Sequence, residues 1–155
     1  MTRYPDAHIA QTSRSRPRLL LALTGGLLAL LTLNLALFDD LRTDPSAGVL
    51  ETFTKPQHLS SLVAVLTAAA LLAFKHRSAA RVAVVVAWIE IAAFTFFHLI
   101  PVEVGPSKPY WGDGMGDPVQ WFGLLSIIAV SAAIIRTVRC SPKAAFTPAV
   151  ASVRS

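Results

Sequence analysis

Residues 82–100 read VAVVVAWIEIAAFTFFHLI, a run in which Glu90, Thr95 and His98 are the polar residues. A helix needs about 20 predominantly apolar residues to cross the hydrocarbon layer of a bilayer, which is about 30 Å thick. The run is apolar nearly all round, whereas a surface helix of a soluble protein carries a polar face. This stretch therefore predicts a transmembrane helix and places the chain among integral membrane proteins.

Three more segments of comparable length surround it, at 19–38, 57–75 and 119–135. With 155 residues and 54% apolar composition, the chain has too little polar surface for a soluble domain of this size. We therefore predict an all-α, four-transmembrane-helix bundle over residues 19–136, with tails at 1–18 and 137–155. The first segment is longer than a signal-peptide core and lacks a clear cleavage site, so we expect it to be retained. Gly25, Gly26 and Ala68 predict close helix packing.

The basic residues predict the orientation, because positively charged loops stay on the cytoplasmic side. With both termini inside the cell (inner) membrane, the outer loops keep only Arg42, Lys55 and Lys108. The cytoplasmic segments then hold Arg3, Arg14, Arg16, Arg18, Lys75, Arg77, Arg81, Arg136, Arg139, Lys143 and Arg154. Charges placed beside apolar segments anchor a membrane protein, so the net charge of +5 does not indicate nucleic acid as a partner.

The two outer loops differ in composition. In the first, Asp44 and Pro45 form a helix start signal, and Val49, Leu50 and Phe53 follow at helical spacing. This pattern predicts a short helix lying on the membrane surface. The second loop, 101–118, is dense in proline and glycine, which predicts a turn-rich, non-helical cap.

Glu90 is the most informative residue, because it follows Arg81 by nine positions and so lies about 13 Å into the layer at 1.5 Å per residue. A carboxyl group at that depth costs several kcal/mol unless it is protonated, hydrated or paired. We expect it to face the bundle interior, near Thr24, Thr67 or Ser126. Its two interpretations are a proton donor in a ligand cavity and a structural hydrogen-bonding group between helices.

Two histidines are expected near the outer surface, His58 at the start of the second helix and His98 eight residues after Glu90. Antiparallel neighbours would bring them together, with Gln57, Gln120 and Glu103 nearby. Such a cluster suits acid/base chemistry, a divalent metal or bis-histidine haem ligation, and it also suits interfacial histidines satisfied by water and headgroups. We assign no metal and leave the cofactor open.

The run 108–121 contains Trp111, Asp113, Gln120 and Trp121 among closely spaced glycines. An aromatic belt at the headgroup level would explain the tryptophans. A lid over the outer mouth of the bundle would also use Trp111 as a wall and Asp113 as a polar group. The spacing lacks the ligand pattern of known calcium loops.

These residues leave three functional alternatives. The first is an accessory or hydrophobic-ligand-binding membrane protein with a polar pocket open to the outer face, in which His58, Trp111, Asp113, Gln120 and Trp121 bind the ligand. The second is an enzyme of isomerase or cyclase type on a lipophilic substrate, with Glu90 and His98 as catalytic residues. The third is electron transfer by haem held between His58 and His98. Expected partners are the bilayer, a hydrophobic small molecule, and a larger membrane complex or a second copy of the chain.

Overall fold

The computed structural model describes residues 6–37, 54–100 and 118–140, with side chains described over 16–35, 54–100 and 118–140. It contains the helices α1 (Asp6–Leu37), α2 (Pro56–Ala73), α3 (Ala79–His98) and α4 (Pro118–Arg139). Each has a stretch long and apolar enough to cross a membrane, which in α1 is Arg16–Leu35. The expected all-helical, four-span architecture is confirmed.

The short connection between α2 and α3 reverses the chain within five residues. Phe74 ends α2, and Lys75 adopts a left-handed backbone with φ of 54°. The amide of Lys75 donates to the Leu72 carbonyl (3.1 Å) and that of His76 to the Leu71 carbonyl (2.9 Å), the hydrogen-bond pattern of a Schellman helix end. At the other terminus, Pro56 begins α2 at a position where its missing N–H costs nothing.

The helices form a ring in which α1 packs against α2 and α4, and α3 packs against the same two helices. Their directions alternate. Arg16 at the start of the α1 span donates to the Cys140 carbonyl after α4 (3.3 Å), while Leu35 near the end of α1 and His58 near the start of α2 line one cavity. We call the side with Leu37, Pro56, His98 and Pro118 the long-connection end, and the side with Arg16, Ala73, Ala79 and Arg139 the short-connection end.

The buried core follows steps of three and four residues along each helix, as expected for helices packed at small angles. The buried positions include Leu20, Thr24, Leu27, Leu31 and Asn34 in α1, Val65 and Ala68 in α2, Ala83, Val86, Ala87 and Glu90 in α3, and Leu124, Ile127, Ser131 and Ile134 in α4. The opposite faces expose large apolar side chains, including Leu33, Val63, Ile89 and Leu125. An apolar outer surface suits a chain whose surroundings are lipid.

Several details differ from the sequence-based expectations. Helix α1 begins at Asp6, inside the predicted tail, because a helix once formed extends through residues that tolerate it. The expectation of close packing at Gly25 and Gly26 is wrong, since a Cβ atom at either would meet no described atom within 4 Å. Ala68 is fully buried, as expected. The predicted surface helix and turn-rich cap lie outside the described residues.

Candidate functional site

A cavity of about 80 Å³ lies between α1, α2 and α3 at the long-connection end. Its walls combine apolar and aromatic side chains with a concentrated set of polar ones. The lining residues are Leu31, Asn34 and Leu35 from α1, Gln57, His58, Ser61 and Leu62 from α2, and Glu90, Ala93, Phe94, Phe97 and His98 from α3. Concave sites with mostly apolar walls and a few convergent polar groups are typical of ligand pockets.

Helical periodicity explains why these polar groups converge. In α3 the buried face formed by Val86 and Ala87 continues to Glu90 and then, in steps of four, to Phe94 and His98. In α2, Ser61 precedes the buried Val65 by four residues, and His58 precedes Ser61 by three. The polar cavity is therefore the continuation of the apolar core toward the long-connection end.

A side-chain hydrogen bond joins Glu90 of α3 to Ser61 of α2. Glu90 is 1% exposed, and its Oε1 accepts a hydrogen bond of 2.5 Å from the Ser61 hydroxyl. Two of the hydroxyl groups suggested by the sequence serve their own helices instead, because Thr24 donates to the Leu20 carbonyl and Thr67 to the Val63 carbonyl. The expectation that Glu90 faces the interior is met, and Ser61 is the partner that the sequence analysis missed.

Two buried polar atoms in the cavity wall are not satisfied by the protein. Within the described part of the chain, neither Oε2 of Glu90 nor Nδ2 of Asn34 has a hydrogen-bond partner. Asn34 is 8% exposed, so both side chains are more than nine-tenths buried. An unsatisfied buried polar group costs about 1–3 kcal/mol, and it marks a place where water or a ligand supplies the missing bond.

Both histidines named from the sequence line this cavity with Glu90. They are half-buried, and the His98 ring lies 5.6 Å from that of Phe94, centroid to centroid, at an interplanar angle of 45°. Gln120 and Trp121 are also half-buried, in the first turn of α4 at the same end, but they are not among the cavity's lining residues. Trp111, Asp113 and Glu103 lie outside the described residues.

The described residues do not form a metal centre. No three of their His, Cys, Asp or Glu side chains come close enough to hold an ion. Cys140 is exposed after α4, at the short-connection end, and so takes no part in the cavity. The polar groups that line the site are therefore one carboxyl, two carboxamides, one hydroxyl and two imidazoles.

Two cavity residues that the sequence analysis missed, Asn34 and Ser61, stand at positions where helical spacing predicts burial. Asn34 follows Leu20 and Leu27 in steps of seven, which places it on their buried face. Ser61 stands seven residues before the buried Ala68. A seven-residue spacing from small or apolar core positions predicts that both side chains lie inside the bundle, but it does not predict that either contacts Glu90.

The fold and the cavity together define a multi-pass helical membrane protein with four spans and a buried polar site. No family model, no curated protein and no solved structure matches this chain.

The Ser61–Glu90 hydrogen bond predicts a difference between two adjacent serines. Ser61→Ala leaves a buried carboxyl oxygen without its donor and is expected to lower the free energy of unfolding by about 1–2 kcal/mol. Ser60 is exposed and donates to the Gln57 carbonyl of its own helix, so Ser60→Ala should change it by less than about 0.5 kcal/mol. Reversible unfolding in mixed micelles of increasing SDS content measures both. Equal losses for the two variants would contradict the role assigned to Ser61.

Proposed function

We propose that this chain is a membrane protein that binds an amphipathic small molecule, with the molecule's polar group in the cavity and its apolar part among the helices or lipid tails. The observation that carries this proposal is the pair of unsatisfied buried atoms, Nδ2 of Asn34 and Oε2 of Glu90, in the wall of one cavity. A group that can accept from the amide and bond to the carboxyl would satisfy both.

The cavity supports a particular ligand chemistry. The Asn34 amide nitrogen only donates, so its partner must be an acceptor such as a hydroxyl or carbonyl oxygen. An ammonium group, which only donates, would leave it unsatisfied. A volume of about 80 Å³ is well below the roughly 300 Å³ at which pockets for whole drug-sized molecules begin. We infer that the cavity takes a neutral, oxygen-bearing head group and not an entire ligand.

Three amphiphiles with the same 12-carbon chain test this chemistry: 1-dodecanol, dodecanoate and dodecylamine. Each is added to the full chain in detergent, and the thermal unfolding midpoint is measured. At ten times its dissociation constant a ligand adds about 1.4 kcal/mol of stability, so dodecanol should raise the midpoint by about 3–6 °C, a larger shift than either of the other two amphiphiles gives.

Asn34→Leu should abolish the dodecanol shift while leaving the ligand-free protein as stable as before, or more so, because an unsatisfied buried donor is replaced by an apolar group of similar size. Thr32→Val on the same helix is the matched control, since exposed Thr32 donates to the Leu28 carbonyl and lies outside the cavity lining. If the cavity holds only water, dodecanol will shift the Asn34→Leu variant as much as the parent protein, and the proposal fails.

Acid/base catalysis is the second candidate, favoured by the presence of Glu90 and His98 in one cavity with the aromatic rings of Phe94 and Phe97. A protonated Glu90 could add a proton to a carbon–carbon double bond while His98 removes one from an adjacent carbon, which moves the double bond without a net change in composition. Haem has less support, because a macrocycle needs a larger pocket than this one.

Farnesol, an unsaturated amphipathic alcohol, is a suitable probe for catalysis, with double-bond positions followed by NMR. If the chain is an isomerase for this class of molecule, Glu90→Gln should reduce turnover by about 100-fold or more and still bind dodecanol. If the parent protein leaves farnesol unchanged, the chain does not catalyse this isomerisation, and ligand binding is the function that still stands.

We also propose that the cavity opens toward the outer face. The basic residues at the short-connection end include Lys75, Arg77 and Arg81, which the positive-inside rule assigns to the cytoplasm. The long-connection end, with the cavity, is then on the opposite side of the membrane.

The single cysteine of the chain makes this orientation measurable. Cys140 is exposed at the short-connection end, so a membrane-impermeant maleimide added to intact cells should not label it until the membrane is permeabilised. A Cys140→Ser chain carrying Ser107→Cys, in the 101–117 connection, should show the reverse and be labelled at once. Labelling of Cys140 in intact cells would reverse the orientation.

A further inference from the structure

The lipid-facing surface between α3 and α4 carries an unusual contact at the short-connection end. The guanidinium carbon of Arg139, the last residue of α4, lies 5.7 Å from the ring centroid of Trp88. Trp88 follows the first residue of α3, Ala79, by nine positions, which is about 13 Å along the helix at 1.5 Å per residue. Side chains of a helix lean toward its N-terminus, so the Trp88 ring is directed toward the short-connection end, where the guanidinium group of Arg139 lies over it.

Long cationic side chains near the ends of membrane helices normally extend toward water, because a charge facing lipid is costly. The ring face of Trp88 compensates part of this cost by a cation–π interaction. An aromatic ring does not, however, satisfy the five N–H donors of a guanidinium group. Within the described residues the Arg139 side chain makes neither a hydrogen bond nor an ion pair, so its guanidinium N–H groups require an acceptor from the surroundings.

The charge around this contact favours an anion. Among residues with described side chains, Glu90 is the one acidic residue, and it lies in the cavity of the long-connection end. The basic residues of the short-connection end are Arg16, Arg18, Lys75, Arg77, Arg81, Arg136 and Arg139. Arg136 precedes Arg139 by three positions and is exposed like it, so the two point to neighbouring parts of the same surface.

The same surface carries exposed apolar side chains against which an acyl chain can pack. Trp88 is 48% exposed, and Val85, Ile89 and Phe96 on the same side of α3 are exposed as well. Val85 precedes Trp88 by three positions and Ile89 by four, and Phe96 follows Ile89 by seven, so these residues form an apolar stripe along one side of α3 that runs from the short-connection end toward the middle of the layer. A cation at one end of an apolar stripe matches the shape of a phospholipid, with its phosphate at the interface and its chain in the layer.

We propose that this surface, formed by Arg136, Arg139, Trp88 and the apolar stripe of α3, is a binding site for an anionic phospholipid. The lipid phosphate accepts from the guanidinium groups of Arg139 and Arg136, and one acyl chain lies along Val85, Trp88 and Ile89. Guanidinium groups bind phosphate through paired hydrogen bonds, which fixes the headgroup more closely than a diffuse surface potential does. The site is independent of the cavity and of its proposed ligand.

The test uses the full chain in phosphatidylcholine vesicles, with increasing mole fractions of phosphatidylglycerol that carries brominated acyl chains. Bromine quenches tryptophan fluorescence on contact, and brominated phosphatidylcholine at the same fractions measures quenching by unbound lipid. The vesicles contain about 0.5 M salt, which screens charges that do not touch the lipid. We expect phosphatidylglycerol to quench at a lower fraction than phosphatidylcholine does.

Arg139→Gln should raise the half-quenching fraction about tenfold, and Arg139→Lys, which keeps the charge without the planar fork, should raise it less. Arg77→Gln is the matched control, because Arg77 is exposed at the same end but lies in the short connection; its shift should stay below about twofold. Trp88→Leu should remove the quenching specific to phosphatidylglycerol.

Three results would overturn the proposal. Equal shifts for Arg139→Gln and Arg77→Gln would show that only the total charge matters. Equal quenching by the two brominated lipids would show that the site does not select an anionic lipid. Specific quenching that persists in Trp88→Leu would place the lipid elsewhere. Circular dichroism of each variant confirms that the helices remain folded.

Discussion

The structure depends on how a carboxyl group is kept inside an apolar bundle. Glu90 is almost fully buried in a helix suited to a bilayer, where an unshielded charge costs several kcal/mol. The Ser61 hydroxyl satisfies one oxygen, and the other has no partner among the described residues in a cavity that Asn34 also lines. This requirement fixes the face that α3 presents to α2, and it places a polar space in a core that consists mainly of Leu, Ile, Val and Ala.

The two ends of the bundle have different chemistry. The long-connection end concentrates groups that donate and accept hydrogen bonds around a small cavity. The short-connection end concentrates exposed cations beside apolar helix faces. A concave polar site favours recognition of a head group by shape and hydrogen bonding, whereas exposed cations favour binding of an anionic surface. The proposed ligand and the proposed phospholipid are therefore different molecules that bind at opposite ends.

The same four helices carry both features because their inner and outer faces follow different rules. Inside the bundle, association rests on packing and hydrogen bonds, since lipid is as apolar as leucine. The fully buried Ala68 and Ala87 allow this packing, while Leu33, Val63 and Leu125 stay exposed to the surroundings. Gly25 and Gly26, which the sequence suggested as contact points, leave space and make no close approach among the described residues.

The sequence by itself determined the number of spans and the burial of Glu90. Crossing a bilayer requires a long apolar run, which is a local property, and a carboxyl in such a run is costly unless it is shielded. The tertiary structure alone decided that Ser61 donates to Glu90 and that Asn34, His58 and His98 line the same cavity. Such pairings depend on the rotation and register of each helix against its neighbours, and the pattern of a single helix does not specify these.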